Sequence, residues 1–227
     1  MPSTPCCDVV ELRQYITYPG KRDELITMFD RDINDPHRFT WLRGFASMAE
    51  RKQALGEFYF GALWKSWAGR ASATLYDNDD VLLLHPAAPG SAFIVDPAMR
   101  APRDATASQA GFVVATIYYS KQEAGADFIR HFDADLAPVF TRGGARILAR
   151  YVSEKSSNTF ERLPVRENVN VYVWFAHFAD RAVYEQYLRH LANDHHWRDD
   201  LFAPLYKSLA RAPETLMLTP SVRSQIR

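Results

Sequence analysis

The chain has 227 residues, which is enough for one or two domains with a sizeable hydrophobic core. Apolar residues make up 47% of the sequence and charged residues 24%, as in ordinary globular proteins. The 27 basic residues balance the 27 acidic residues, so a partner selected by net charge, such as nucleic acid, is not expected. No apolar run approaches the ~18 residues of a membrane-spanning helix, and no secretory signal is recognisable. We therefore expect a cytoplasmic protein without a membrane span.

The two cysteines of the sequence are adjacent, Cys6 and Cys7. Their spacing matches neither a metal-binding motif nor a disulfide framework, and it fits a reducing compartment. Two ordinary thiols are the favoured interpretation, with a vicinal disulfide as the alternative.

The first elements of the chain fit a sheet that is covered by helices. A strand is predicted at residues 9–16, where apolar and polar residues alternate, and a short amphipathic helix at about residues 21–31. The next strand, residues 38–43, follows almost at once. Ser47 and Glu50 then have the spacing of a capping box, which predicts the start of a second helix.

A stretch rich in proline and alanine, residues 86–110, follows an apolar strand and predicts a linker that lies over the surface. Beyond it, the hydrophobic periodicity predicts four strands and two helices, with Asp180 as the cap of the second helix. The strands are predicted at residues 113–119, 145–154, 169–178 and 215–218, and the first helix at about residues 122–141. This order, β-α-β-β-α-β, is typical of the ferredoxin-like or split βαβ fold.

Aromatic residues recur at matching positions in the two parts, which indicates an internal repeat. Trp41 pairs with Trp174, and in each copy the next tryptophan, Trp64 or Trp197, comes 23 positions later. We therefore predict three parts of the chain, an N-terminal repeat at residues 8–86, a linker at 87–111 and a C-terminal repeat at 112–220.

The first copy is shorter than the second. Trp41 follows Tyr15 by 26 positions, whereas Trp174 follows Tyr119 by 55, a difference of 29 residues. That length corresponds to a strand, its loop and the last turns of a helix, so the second strand of the first repeat is predicted to be missing. An open sheet edge would result, and open edges favour pairing with another chain. We therefore expect a homo-oligomer.

Four segments of the first copy resemble the NIPSNAP family, and together with the second copy the resemblance covers nearly the whole chain. The segments are ELRQY at Glu11–Tyr15, PGKRDEL at Pro19–Leu25, DPHRFTWLRGF at Asp35–Phe45 and LLLHP at Leu82–Pro86. The resemblance implies an α+β fold with tandem ferredoxin-like repeats of the dimeric α/β-barrel type, in which two antiparallel sheets face each other around a shared interior. It also implies a longer first helix and a second strand, and the sequence departs from the family there.

Polar residues on the first strand suggest a binding site. Glu11, Arg13 and Tyr15 alternate with apolar residues, and we assign them to the barrel interior. The apolar set, assigned to the face beneath the helices, is Val10, Leu12 and Ile16. An aromatic-walled cavity with a few convergent polar groups is typical of small-ligand pockets. The predicted ligand-binding residues are Arg13, Tyr15, Trp41, Arg43, Tyr172 and Trp174, and the candidate catalytic residues are Glu11, Arg13 and Tyr15.

Two interpretations of these residues stay open. In the first, Glu11 pairs with Arg13 or Arg43 across the sheet, and the tryptophans fill the core between the sheets. In the second, Arg13 and Arg43 bind a carboxylate or an enolate-like group, and Glu11 acts as a base. The polar site belongs to the first copy in either case, because the second copy aligns Ala115 and Ile117 with the charged residues.

No metal and no cofactor is predicted. Histidines and aspartates at i, i+4 spacing, such as Asp127, His131 and Asp135, are typical of a solvated helix face. The pair Gly143-Gly144 fits a helix stop better than a phosphate-binding loop. The sequence contains no G-x-G-x-x-G, Walker A or G-x-S-x-G motif.

The leading hypothesis is a NIPSNAP-like module that binds a small hydrophobic or anionic molecule or another protein. The alternative is a cofactor-independent oxygenase or isomerase that acts on a small anionic or aromatic substrate in the barrel interior. Related barrels include such enzymes, but analogy of fold does not establish function.

Overall fold

The computed structural model describes residues 7–22, 30–32, 37–96, 101–102, 105 and 111–226. Within these ranges the strands are β1 Val9–Thr17, β2 Asp30–Asp32, β3 Arg38–Phe45, β4 Leu75–Pro86, β5 Phe112–Tyr119, β6 Arg146–Ser153, β7 Val171–Phe178 and β8 Glu214–Thr219. They pair antiparallel and close a barrel in the order β1-β3-β2-β8-β5-β7-β6-β4.

The described helices are α1 Met48–Phe60, α2 Ala62–Ser72, α3 Ala126–His131, α4 Ala137–Arg142, α5 Arg181–Asn193 and α6 Phe202–Ser208. A π-helical segment, Phe132–Leu136, joins α3 to α4, and a second one, His196–Leu201, precedes α6. No helix in the described part of the chain is long and apolar enough to cross a membrane.

The helix that follows the third strand of each repeat, α1 or α5, begins at a side-chain cap, as predicted. Ser47 accepts the backbone N–H of Glu50 at 3.1 Å, and Asp180 accepts that of Val183 at 2.9 Å. Glu50 completes the first cap by accepting the N–H of Ala46 at 2.9 Å. Each cap satisfies donors that a helix start leaves unpaired, which fixes where α1 and α5 begin.

The strands of each half are neighbours in the barrel and follow the ferredoxin-like order. The first sheet is β4-β1-β3-β2 and the second is β8-β5-β7-β6. The two sheets join where β2 pairs with β8 and where β4 pairs with β6. The predicted α+β fold, with tandem ferredoxin-like repeats of the dimeric α/β-barrel type, is thereby confirmed.

The first repeat is shortened, as predicted, but a remnant of its second strand is present. β2 has three residues, whereas β6 has eight. It pairs with Phe39 and Thr40 of β3 on one side and with Leu218 and Thr219 of β8 on the other. Because this short strand joins the two sheets within one chain, the described barrel is closed, and an open edge no longer argues for a homo-oligomer.

Strand pairing shifts the alignment of the two repeats by one residue. Arg13 pairs with Trp41 and Thr116 pairs with Trp174, so the counterpart of Arg13 is Thr116 rather than Ile117. Trp41 follows Arg13 by 28 positions and Trp174 follows Thr116 by 58, so the first repeat is 30 residues shorter instead of 29. A one-residue shift matters because it moves every side chain of a strand to the other face.

Both repeats build an apolar core inside the barrel. Its buried side chains include Val10, Leu12, Leu82, Leu84, Val113, Ala115, Ile117, Tyr151, Val173, Phe175, Leu216 and Leu218. The face assignment made from the sequence is therefore wrong, since Val10 and Leu12 point inward and Glu11, Arg13 and Tyr15 lie on the outer face. Nearly all of β1 is buried on both faces, so the alternation could not distinguish inside from outside.

Part of the predicted linker is buried. Ala92 and Phe93 are enclosed, and the ring of Phe93 packs against Tyr151 and Phe175 with centroids 5.6 and 4.8 Å apart. The expectation of a surface linker is therefore wrong for these residues, because one large aromatic ring gains more by joining the apolar interior than by staying in solvent.

Cys7 is disulfide-bonded, and no described cysteine is free. The chain has one other cysteine, Cys6, which lies outside the described residues. The expectation of an ordinary thiol is therefore wrong for Cys7, and the part of the prediction that concerns Cys6 lies outside the described residues.

Candidate functional site

The carboxylate of Glu11 lies at the centre of three arginines. Its Oε2 accepts hydrogen bonds from Arg13 Nη1 at 2.9 Å and from Arg43 Nε and Nη2 at 3.0 and 2.7 Å. Its Oε1 accepts one from Arg51 Nε at 2.7 Å. The side chains of Glu11, Arg13 and Arg51 are fully buried, and that of Arg43 is 18% exposed. We name these four residues the arginine cluster.

Two strands and a helix bring the cluster together. Glu11 and Arg43 face each other in the β1–β3 ladder, and Arg13 lies two residues along β1 on the same face. Arg51 comes from the first turns of α1, which begins after Ser47. The cap at Ser47 therefore sets the position from which Arg51 reaches the sheet.

Arg51 is the residue that the sequence prediction misses. It precedes Leu55 by four positions and Tyr59 by eight, and all three are buried on one face of α1. A charged residue within the buried stripe of a helix needs a buried partner of opposite charge. This pattern is the signal in the sequence that would have identified Arg51.

Two residues of the second repeat bind the guanidinium group of Arg51. Its Nη1 donates to Asn158 Oδ1 at 3.1 Å and to Thr159 Oγ1 at 3.3 Å. Both acceptors belong to the segment between β6 and β7. This segment is anchored to β4 by backbone hydrogen bonds of 2.8 Å at Glu154 and Arg166. The site therefore contains side chains from both repeats.

Tyr15 and Trp41 flank the cluster. Arg13 Nε donates to the hydroxyl of Tyr15 at 2.6 Å. The guanidinium carbons of Arg13 and Arg43 lie 5.8 and 5.0 Å from the ring centroid of Trp41. At these distances cation–π attraction helps to hold the two guanidinium groups in place. The structure thus brings together Glu11 and four of the six predicted ligand-binding residues.

The cluster contains more positive than negative charge. Three guanidinium groups face one carboxylate, which leaves a net charge of +2. Burial alone would raise the pKa of Glu11, but the charges of Arg13, Arg43 and Arg51 outweigh it and lower that pKa. Burial and repulsion by the other two arginines lower the pKa of Arg51, although Glu11 opposes the shift. A further anion would therefore be stabilised at this position.

Two hydrogen-bond donors of the cluster have no acceptor. Arg13 Nη2 and Arg51 Nη2 are buried and find no hydrogen-bond partner within the described ranges. A buried donor without an acceptor costs about 1–3 kcal/mol, and more when the group is charged. Both atoms can therefore donate to a further acceptor.

Tyr172 and Trp174 do not join the cluster. They lie beneath α4 and the π-helical segment before it, where Phe140 stacks on Trp174 with centroids 4.8 Å apart and planes at 4°. The ring centroids of Phe132 and Tyr172 are 4.8 Å apart. The predicted ligand-binding set is therefore split between the outer faces of two different sheets, because equivalent residues of the two repeats face different helices.

A polar pocket of about 240 Å³ lies elsewhere, at the segment between β6 and β7, and its lining includes Glu154, Lys155, Arg166 and Asn168. None of the predicted ligand-binding residues lines it. Among the described residues, no group of three or more His, Cys, Asp or Glu side chains could hold a metal ion.

Comparisons with known proteins agree with the fold. No protein-family model matches the sequence, and no curated protein matches it significantly. Among solved structures, an anthrone oxidase-like protein is 11% identical and has a TM-score of 0.56 over 94% of this chain and 91% of its own. A protein from Fusobacterium nucleatum, provisionally named a monooxygenase, is 11% identical and has a TM-score of 0.52 over 97% and 94%.

A NIPSNAP family protein from Agrobacterium tumefaciens is also similar. It is 13% identical, with a TM-score of 0.41 over 52% of this chain and 99% of its own. The family that the sequence resembles is thus found among the structural matches. At these identities the similarities concern the fold, and any activity must be argued from the site itself.

Proposed function

We propose that the protein binds a small anionic molecule at the arginine cluster. The observation that carries the proposal is the imbalance of charge, since three guanidinium groups surround one carboxylate in a buried position. Buried charges are normally paired, because an unpaired charge loses its hydration without compensation. An anionic ligand would restore the balance.

The unpartnered donors support the same conclusion. Arg13 Nη2 and Arg51 Nη2 are the atoms to which an anion would bind, since both lack a hydrogen-bond partner in the described structure. Charge-assisted hydrogen bonds from arginine to an oxyanion are about twice as strong as neutral ones. The cluster meets the surface at Arg43, which is the one partly exposed arginine of the three, so a ligand would enter beside it.

The purely structural interpretation accounts for only part of the cluster. Glu11 does pair with Arg43 across the sheet, and it also pairs with Arg13 along β1. One carboxylate neutralises one guanidinium group, however, and the other two remain uncompensated. Binding of an anion accounts for all four residues.

The enzyme alternative has less support. Glu11 accepts four hydrogen bonds from arginines, and its pKa is lowered, so it would be a weak base. Much of the barrel interior, where the sequence analysis places the substrate, is filled by buried apolar side chains, and Glu11 lies on the outer face instead. Two structural neighbours have names that refer to oxidation, but at 11% identity those names do not assign a reaction to this chain.

The proposal is tested by calorimetric titration of the full chain with acetate, benzoate, sulfate and phosphate. We expect saturable binding of at least one of these anions. Arg43→Gln should weaken it at least about tenfold, since a charge-assisted hydrogen bond is lost, and Arg13→Met should remove it. Thermal melts of each variant show whether the fold is retained.

Arg181→Gln is the matched control, because Arg181 pairs with Glu185 on α5 and its side chain is 61% exposed. This variant should bind as the unmodified chain does. Two results would contradict the proposal. One is the absence of saturable binding by all four anions, and the other is unchanged binding in folded Arg13→Met and Arg43→Gln variants.

A homo-oligomeric state is a further proposal. The cytoplasmic location stays a prediction, and the disulfide at Cys7 argues against it, since disulfides are rare in reducing compartments. The support for an oligomer is a group of exposed apolar side chains on α1 and α2, namely Phe60, Leu63 and Trp67, which are 59%, 66% and 45% exposed. Exposed apolar groups of this kind often form interfaces. Sedimentation of the purified chain tests this, and a monomer at all accessible concentrations would contradict it.

A further inference from the structure

The charge of the arginine cluster matches two negative charges better than one. Glu11 is the one acidic partner of Arg13, Arg43 and Arg51 among the ion pairs of the described residues. A monocarboxylate would leave one guanidinium charge uncompensated in a buried position. A dianion would leave none.

The geometry also requires that both charges lie close together. All three guanidinium groups bind the same carboxylate, with N–O distances of 2.7 to 3.0 Å. The three positive charges are therefore concentrated around one carboxylate. A phosphoryl group carries its charge and three acceptor oxygens on a single atom, whereas a dicarboxylate distributes the charge over two carbons.

The unpartnered donors are of the type that phosphate recognition uses. Arg13 Nη2 belongs to β1 and Arg51 Nη2 to α1, and both side chains are fully buried. Planar guanidinium groups bind phosphate oxygens through directed, charge-assisted hydrogen bonds. Asn158 and Thr159 hold the other end of Arg51, so its orientation is fixed before the ligand arrives.

We propose that the ligand presents a dianionic phosphoryl group, as a phosphate monoester does, to Arg13 Nη2 and Arg51 Nη2, with Arg43 at the opening. This inference rests on the proposed function of anion binding and specifies its ligand class. Arg51 and its two acceptors in the second repeat are then determinants of specificity.

The first experiment compares phenyl phosphate with phenyl sulfate by calorimetry at about pH 7.5. The two probes have nearly the same shape, but phenyl phosphate carries a charge of about −1.5 to −2 and phenyl sulfate carries one negative charge. We expect phenyl phosphate to bind at least about tenfold more tightly, because its second charge meets an uncompensated guanidinium group. In Arg43→Gln the ratio should fall.

The second experiment uses the pH dependence of the ligand. The second pKa of a phosphate monoester is about 6, so its affinity should decrease severalfold between about pH 7.5 and pH 5. Inorganic sulfate stays a dianion over this range and is the reference, since any titration of the protein itself would change sulfate binding as well. Arg211→Gln, which alters an exposed ion pair with Glu214, serves as the protein control.

The outcomes separate this inference from the proposed function. Equal affinity for phenyl phosphate and phenyl sulfate, with both abolished in Arg13→Met, would overturn the inference and leave anion binding intact. No binding by any probe would overturn both. Binding that is lost in Arg211→Gln and kept in Arg43→Gln would move the anion to another surface and would also overturn both.

Discussion

Arg51 on α1 and Glu11 on β1 form an ion pair of 2.7 Å in which neither side chain is exposed. The pair fixes the first helix after β3 to its sheet at the level of the arginine cluster. Apart from Arg51, the buried residues of α1 are Leu55 and Tyr59. The stability of the first repeat and the geometry of its proposed site therefore depend on the same carboxylate.

Removal of that carboxylate charge should destabilise the protein. Glu11→Gln leaves three guanidinium groups without their acidic partner, and breaking a buried pair in this way costs about 3–5 kcal/mol of unfolding free energy. Urea denaturation measures the loss. Glu185→Gln is the control, since its pair with Arg181 is half exposed and should contribute less than about 1 kcal/mol. Similar losses in the two variants would show that the cluster is not stabilised as proposed.

The same carboxylate should make stability depend on pH in the acid range. Its pKa in the folded state lies below the ordinary value of 4.5, because the three arginines outweigh the effect of burial. The contribution of Glu11 is therefore complete above that ordinary value and is lost as the pH falls through the folded-state pKa.

This dependence can be measured as a difference between two chains. We expect the unfolding free energies of the unmodified chain and Glu11→Gln to differ by a constant amount from about pH 8 to pH 6, and the difference to shrink below about pH 4.5. Urea titrations at a series of pH values supply both curves. A difference that persists unchanged to about pH 3 would contradict the assignment of the lowered pKa to Glu11.

The repeat architecture could be predicted because aromatic residues at the same spacing occupy equivalent positions in the two repeats. Trp41 and Trp174 do occupy equivalent positions, each paired across the sheet with the first strand of its repeat. The second strand of the first repeat could not be predicted, because three residues are too few to show a period of two. Its presence is decided by pairing with β3 and with β8, and β8 is distant in sequence.

Only the part of the site that lies on the strand pair β1–β3 could be predicted from the sequence. Glu11, Arg13 and Arg43 were identified because charges in a buried strand need partners, and they do meet. The sequence prediction groups Trp174 with them because it assigns the wrong face of the first strand to the barrel interior. The buried stripe of α1 marks Arg51 as a residue that needs a buried partner, but that partner, Glu11, lies 40 positions away and only the fold identifies it.

Close packing between α4 and α5 makes Gly143 sensitive to a single methyl group. A Cβ at this position would lie 2.9 Å from Cδ2 of Tyr187 and 3.0 Å from Cδ2 of His190. Because Tyr187 is buried, α5 would have to move, and Gly143→Ala should cost about 1–3 kcal/mol in thermal or urea unfolding. Gly56→Ala, within α1 and with no atom within 4 Å of the added Cβ, should instead gain up to about 1 kcal/mol. If Gly143→Ala left the unfolding free energy unchanged, α4 and α5 could separate at little cost.

The two equivalent tryptophans should have opposite roles. Trp174 is 3% exposed and stacks on Phe140, so Trp174→Ala should cost about 3–5 kcal/mol of stability. Trp41 is only partly buried and contacts two guanidinium groups, so Trp41→Ala should cost less, about 1–2 kcal/mol, while weakening anion binding.

Denaturation and calorimetry on the two tryptophan variants separate these roles. Trp174→Ala should keep the anion affinity of the unmodified chain at temperatures where it is folded, because its ring lies beneath the helices of the other repeat. Trp41→Ala should lose affinity because Arg13 and Arg43 are no longer held by the ring. If the two variants lose stability and affinity in equal proportion, the repeats have not diverged in role. The arginine cluster would then be part of the packing of the first repeat, like its apolar counterpart in the second.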